Sequence, residues 1–157
     1  MGLFNEITQG LPGNLDAVES FEMEITWGRD EVNRTWVRPA VIASTAVDAG
    51  NTPTTHLRAG LLMGVVSATG EWKEWDSGET DGTEVIQGVL VQDASTSQRG
   101  TAVQQYGGWV MTGGQVMAAR LLVPGAASHT IVGDGAEAAI RTALAAAGFT
   151  LDDTIYQ

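Results

Sequence analysis

Residues 59–93 read AGLLMGVVSATGEWKEWDSGETDGTEVIQGVLVQD, two apolar segments bracketing a polar, tryptophan-bearing one. Residues 61–66 are an apolar run with the length of a strand rather than a helix. The run meets Ala68-Thr69-Gly70-Glu71, a turn composition, and a polar strand carrying Trp72 and Trp75 follows. Residues 76–83 gather Asp, Ser, Gly, Glu and Thr and read as a wet loop, after which 84–92 are strand-like again. Successive strand residues face opposite ways, so Trp72 and Trp75 are expected on opposite faces. If one packs inward, the other is left at the surface. A partly exposed tryptophan at a hairpin tip buries a large area at low entropic cost, which makes Trp72 and Trp75 candidate interface anchors.

Working outward, residues 27–43 are expected to hold a strand broken at Pro39, and 47–55 a loop rich in Thr, Asn, Gly and Pro. Residues 101–110 and 115–123 read as two further strands, with turns at Gly107-Gly108 and Gly113-Gly114. One helix is clear, at about residues 135–147. Asp134 is placed to cap it with Glu137 three residues on, and Ala136, Ala139, Ile140, Ala143, Leu144 and Ala147 form one stripe. Gly148 supplies the left-handed stop, with Phe149 placed to fold back. The expected fold is therefore mainly β with one C-terminal α-helix. Residues 1–35 read as an N-terminal arm, and 36–157 as a single β-rich domain.

Within the arm, Leu3, Phe4 and Ile7 recur at helical spacing, but Gly10, Pro12 and Gly13 interrupt any helix. Phe21, Met23 and Ile25 alternate with glutamates, the pattern of an exposed or edge strand. Two readings stand here: a terminal segment packed on its own domain, or one that orders on a partner.

Charge and composition narrow the function. The net charge is −11, and the cations are one lysine and seven arginines. Such a surface repels phosphate backbones, so no direct nucleic-acid partner is expected. The chain has no cysteine, which removes disulfides and thiolate metal sites. No apolar window approaches 18 residues, and no leader pattern opens the chain, so neither a membrane partner nor a secretory signal is expected. His56 and His129 lack a nucleophile motif around them and cannot by themselves build a zinc site. The acidic loop places Gly78, Thr80 and Asp81 where a calcium loop starting at Asp76 needs oxygen, oxygen and glycine. No catalytic residue, metal or cofactor is called, although acid pairs leave a saccharide hydrolase as a rival.

The 59–93 pattern resembles the lambda-type D family of head decoration proteins in tailed bacteriophages. There, a strand ending in a Val-x-Ala-Thr-Gly turn, here 66–70, enters a polar strand, here holding Lys73, and an acidic loop. A Gly-Val-Leu-x-x-Asp strand closes the pattern, here 88–93. The resemblance implies a non-enzymatic component of the virion, made in the host cytoplasm and placed on the outer capsid surface. Its partners would be the major capsid protein and two further copies of itself, at three-fold and quasi-three-fold positions. Its role would be to brace the expanded head against internal DNA pressure. The capsid-binding arm would comprise Leu3, Phe4, Ile7, Phe21, Met23 and Ile25. This chain departs from the family in an N-terminal extension longer than the usual arm. The alternative is a tail or fibre-associated β domain that binds a host receptor.

Overall fold

A computed structural model describes residues 36–98, 100–102, 105–125 and 129–153. The arm residues Leu3, Phe4, Ile7, Phe21, Met23 and Ile25 lie outside them. In chain order the strands are β1 (Val37–Ile42), β2 (His56–Leu57), β3 (Leu62–Val65), β4 (Trp72–Glu74), β5 (Gly88–Leu90), β6 (Ala94–Ser95) and β7 (Ser97–Gln98). Then come β8 (Thr101–Ala102), β9 (Gln105–Met111), β10 (Gly114–Met117), β11 (Leu122–Val123), β12 (His129–Thr130) and β13 (Phe149–Asp152). Among the described residues the one α-helix, α1 (Glu137–Ala146), precedes the last strand. The protein is mainly β with one C-terminal helix.

Five strands close a barrel in the order β1-β4-β3-β5-β9, and the remaining strands pair two by two around it. The barrel explains why residues 61–66 and 88–91 are apolar without interruption. Each strand is buried on both sides. Met63, Leu90, Val110 and Ile42 fall in one core cluster, while their neighbours Leu62, Val89 and Met111 join Ile140, Leu144 and Phe149 in another. A five-stranded barrel is too narrow to admit a helix, so the first cluster fills the interior and the second lies between wall and α1.

Pro39 does not break β1. The carbonyl of Trp109 accepts the amide of Val91, so the polar groups of Trp109 point toward β5. Pro39 is its cross-strand partner in the β1–β9 ladder, and its nitrogen therefore faces away from β9. On that side β1 meets β4 only at Ile42 and Trp72, so no ladder bond needs a proline amide.

Other boundaries also differ from the sequence reading. Only Gly88–Leu90 of the expected 84–92 strand pairs. Gly107 and Gly108 lie within β9 rather than in a turn. There a Cβ on Gly108 would stand 2.7 Å from the Ile42 side chain, so glycine admits Ile42 to the barrel interior. The expected strand at 115–123 is interrupted by a 3-10 turn, Ala118–Arg120.

The helix start is a variation on the expected cap. Asp134 Oδ1 accepts the Ala136 amide at 2.6 Å, and Glu137 Oε2 reaches back to the Gly133 amide at 2.7 Å. The two carboxylates thus satisfy donors one residue earlier than a capping box would. Arg141 joins Glu137 (2.7 Å) to Asp153 (2.6 Å), tying α1 to the end of β13. Ile140 and Leu144 are buried and Ala143 and Ala147 partly so, whereas Ala136 and Ala139 are exposed; the stripe narrows to about the last two turns. Gly148 has φ +91°, as a left-handed stop requires.

The loop at 43–58 is held by a buried ion pair. Asp48 is 1% exposed and accepts from Arg58 twice, Nε at 2.6 Å and Nη2 at 2.9 Å. The Asp48 hydrogen bond raises the Arg58 pKa further. The buried hydroxyl of Thr96 donates to the Ala46 carbonyl at 2.9 Å, and Asp93 caps the Ala59 amide at 2.8 Å. Removing Asp48 strands a guanidinium that is only partly open to water. Asp48→Ala should cost about 2 kcal/mol, less than a fully buried broken pair because Arg58 can recover some hydration. Urea denaturation checks this, and an unchanged midpoint would contradict it.

Candidate functional site

The hairpin of β3 and β4, the 76–87 loop behind it and the flank of α1 form one continuous region. The hairpin register pairs Met63 with Glu74 and Val65 with Trp72. Its turn ends at Gly70, with φ +74°. The loop folds back against the strands because Gly64 presents no side chain: a Cβ there would stand 2.6 Å from the Thr83 backbone. The amide of Asp76 closes the loop neck on the Thr83 carbonyl at 3.1 Å, and Ser67 donates to the Asp81 carbonyl at 2.7 Å.

The carboxylates of this loop are turned on its own backbone. Asp76 accepts the Gly78 amide at 2.9 Å, and Glu84 accepts the Gly82 amide at 2.7 Å. Asp81 accepts the amide and hydroxyl of Thr83 at 3.0 and 2.6 Å. These bonds favour the charged form and lower the Asp81 pKa. Among the described residues no group of three or more His, Cys, Asp or Glu is placed to hold a metal ion. The acidity of the loop is a folding device here, shaping its turns.

Trp72 and Trp75 do separate to opposite sides, as the strand period requires. Trp72 packs against the interior cluster and Trp75 against the cluster beneath α1. Both are half-buried. The Trp75 indole N–H donates to the Glu84 carbonyl at 3.0 Å, fixing its ring between the loop and the helix. Among the described residues the most exposed aromatic side chains are instead Trp36 and Trp109, 40% and 42% exposed. Trp109 was legible in principle. It alternates with Val110, so one of the two had to face out of the barrel.

A cavity of about 460 Å³ lies on one side of Trp75, lined among others by Val47, Glu74, Asp76, Ser77, Asp134 and Ile140. The Glu74 carboxyl on its wall has a raised pKa. Burial pushes it up, while the Val47 amide, 2.9 Å from Oε2, and Lys73 pull the other way. Among the described residues no histidine, lysine or arginine lines the cavity to activate Ser77, and Lys73 Nζ stands 3.8 Å from Glu74 Oε1 as its ion-pair partner. His56 belongs to β2, lies 3.2 Å from Asp93 and is not among the residues lining this cavity. His129 falls in β12. Among the described residues lining this cavity, no nucleophile, base and orienting group stand together. Among the described residues no helix is long and apolar enough to cross a membrane.

Glu74 gives the region a signature in pH. Its pKa is higher in the folded chain than the ordinary 4.5, so the folded state holds the proton more tightly. The stabilising contribution is fully present below 4.5 and is lost as pH rises through the folded value. Glu74→Gln keeps an oxygen for the Val47 amide and removes the charge. It should melt above the wild type at pH 7, with the gap closing as pH falls toward 4.5 in a series of thermal melts. A gap that stays constant with pH would contradict this.

The family model of bacteriophage lambda head decoration protein D matches residues 38–149, from β1 to the first residue of β13. No curated protein and no solved structure matches the chain.

Proposed function

We propose that this chain, which belongs to the bacteriophage lambda head decoration protein D family, binds the outer surface of the expanded head as a trimer at three-fold and quasi-three-fold sites. The family is one of structural phage proteins rather than enzymes, and membership supports a capsid decoration role in the virion. The observation that carries the reading is the extent of the match: it takes in the whole barrel and α1, and begins where the N-terminal segment ends.

The physical account of stabilisation needs no chemistry. A ligand that binds only the expanded shell stabilises that state by mass action, and here the ligand is the trimer. Once one protomer is seated, the contacts of the others become intramolecular, so interfaces of about 800 Å² per partner add up to lasting attachment. Residues 1–35 are the arm in this account and 36–157 the decoration domain. Leu3, Phe4 and Ile7, with the alternating Phe21, Met23 and Ile25, order on the major capsid protein, where main-chain pairing asks little of sequence. Trp72 and Trp75 serve as interface anchors through the parts of their rings left open. The net charge of −11 keeps a component made in many copies soluble before assembly in the host cytoplasm and argues against direct contact with the packaged DNA.

Purified protein mixed with expanded shells that lack it should co-sediment at saturating concentration; failure to do so would overturn the reading. Deleting residues 1–26 should lower shell affinity by about a hundredfold or more. Far-UV dichroism and thermal melting should stay nearly unchanged. A large loss of fold stability would show that the arm belongs to the core.

A further inference from the structure

The barrel is fully paired on one side of β1 and barely paired on the other. Toward β9 the ladder runs from Val37 with Met111 to Ile42 with Gln105. Toward β4 there is one bridge, Ile42 with Trp72. β4 begins at Trp72 and runs parallel to β1, so it continues past the end of β1, and no β4 residue stands opposite residues 37–41. Among the described residues no other strand pairs with that side. A strand edge of this kind is a template for a further strand, and in a solution of one protein the nearest such edge belongs to another copy.

The bonds at the two ends of the strand show which residues face the open side. The Trp36 carbonyl accepts the Thr112 amide at 3.0 Å, and the Ala43 amide donates to the Trp72 carbonyl at 2.9 Å. Even-numbered residues therefore turn their polar groups toward β9, and Val37, Pro39 and Val41 turn theirs toward the open side. Each would offer an amide and a carbonyl to an added strand, except that Pro39, in the middle, has no amide. Arg38 and Pro39 are exposed, so position 39 is open to solvent. The register also shifts between Ala40 and Ile42, and such irregularities bend a strand and spoil its edge as a template. The barrel itself has no need of a proline here. Valine or threonine is favoured in strands and would pair with Trp109 across the ladder.

We infer that Pro39 guards this edge against a second copy of the chain. It withholds the central amide with which two β1 edges would pair, and so keeps the barrel wall from growing into an open-ended assembly. The inference uses the edge alone and stands apart from the capsid reading. Antiparallel edge pairing joins copies by a two-fold contact, which the proposed trimer, closing about a three-fold axis, does not use.

The test uses the full chain as wild type, Pro39→Val, Pro39→Thr, and Pro39→Thr combined with Val41→Pro. Both single substitutions restore the amide at position 39, threonine with a polar side chain. The double variant returns an amide-free residue to the same side of the strand. In sedimentation velocity over a concentration series, each single variant should associate beyond the wild-type species about tenfold or more tightly, since a pair gains one hydrogen bond from each copy. The double variant should fall back to within about twofold of wild type. Thermal melting reports whether each variant folds. Single variants that sediment like wild type would overturn the inference. So would a double variant that associates as strongly as Pro39→Thr, because the amide would then not be the cause. If both single variants melt far below wild type, Pro39 is kept for the fold and the guarding role is wrong.

Discussion

The barrel interior accommodates Ile42, Met63, Leu90, Val110 and part of the Trp72 ring only because two of its strands give up a side chain. A Cβ on Gly88 would stand 2.5 Å from Val110 Cγ1 and 2.8 Å from the Trp72 ring, and Gly108 makes the same concession to Ile42. A five-stranded barrel has little internal volume, so close packing is reached by pairing large residues with absent ones. Everything outside depends on that closure. With Trp72 turned inward from β4, Trp75 is directed toward α1, and the 76–87 loop is carried to the helix flank.

The surface follows from the same geometry. The loop that looked like an ion site uses its carboxylates to organise its own turns, and the Asp48–Arg58 pair does similar work for the 43–58 loop. Charge thus acts locally to hold irregular backbone and globally as a net −11, which favours solubility. Among the described residues, the apolar openings on this surface lie around Trp75 and Val85 and at Trp36 and Trp109.

Several features were plain in the sequence because they are local. The 61–66 run, the turn at 68–71, the polar strand with its two tryptophans and the alanine-rich helix stopped by Gly148 each depend on neighbours a few residues away. Others were misread because their cause lies far along the chain. Gly107-Gly108 has the composition of a turn, yet it is strand because Ile42 needs the space. Pro39 has the composition of a break, yet β1 runs through it because its open side has no partner there. Residues 84–87 look like strand, but the loop must turn there to bring Glu84 to the Trp75 indole.

The sequence alone determined the class of fold, the site of its helix, the net negative charge, the absence of thiolate ligands and the likeness to decoration proteins; each follows from residue types and short spacings. Only the tertiary structure decided that the strands close into a barrel, that Trp72 and Trp75 divide between two cores, that the loop carboxylates serve the backbone, and that the Pro39 nitrogen faces away from β9. Closure and burial depend on which distant side chains share a volume, and short-range spacing along the chain carries no record of that.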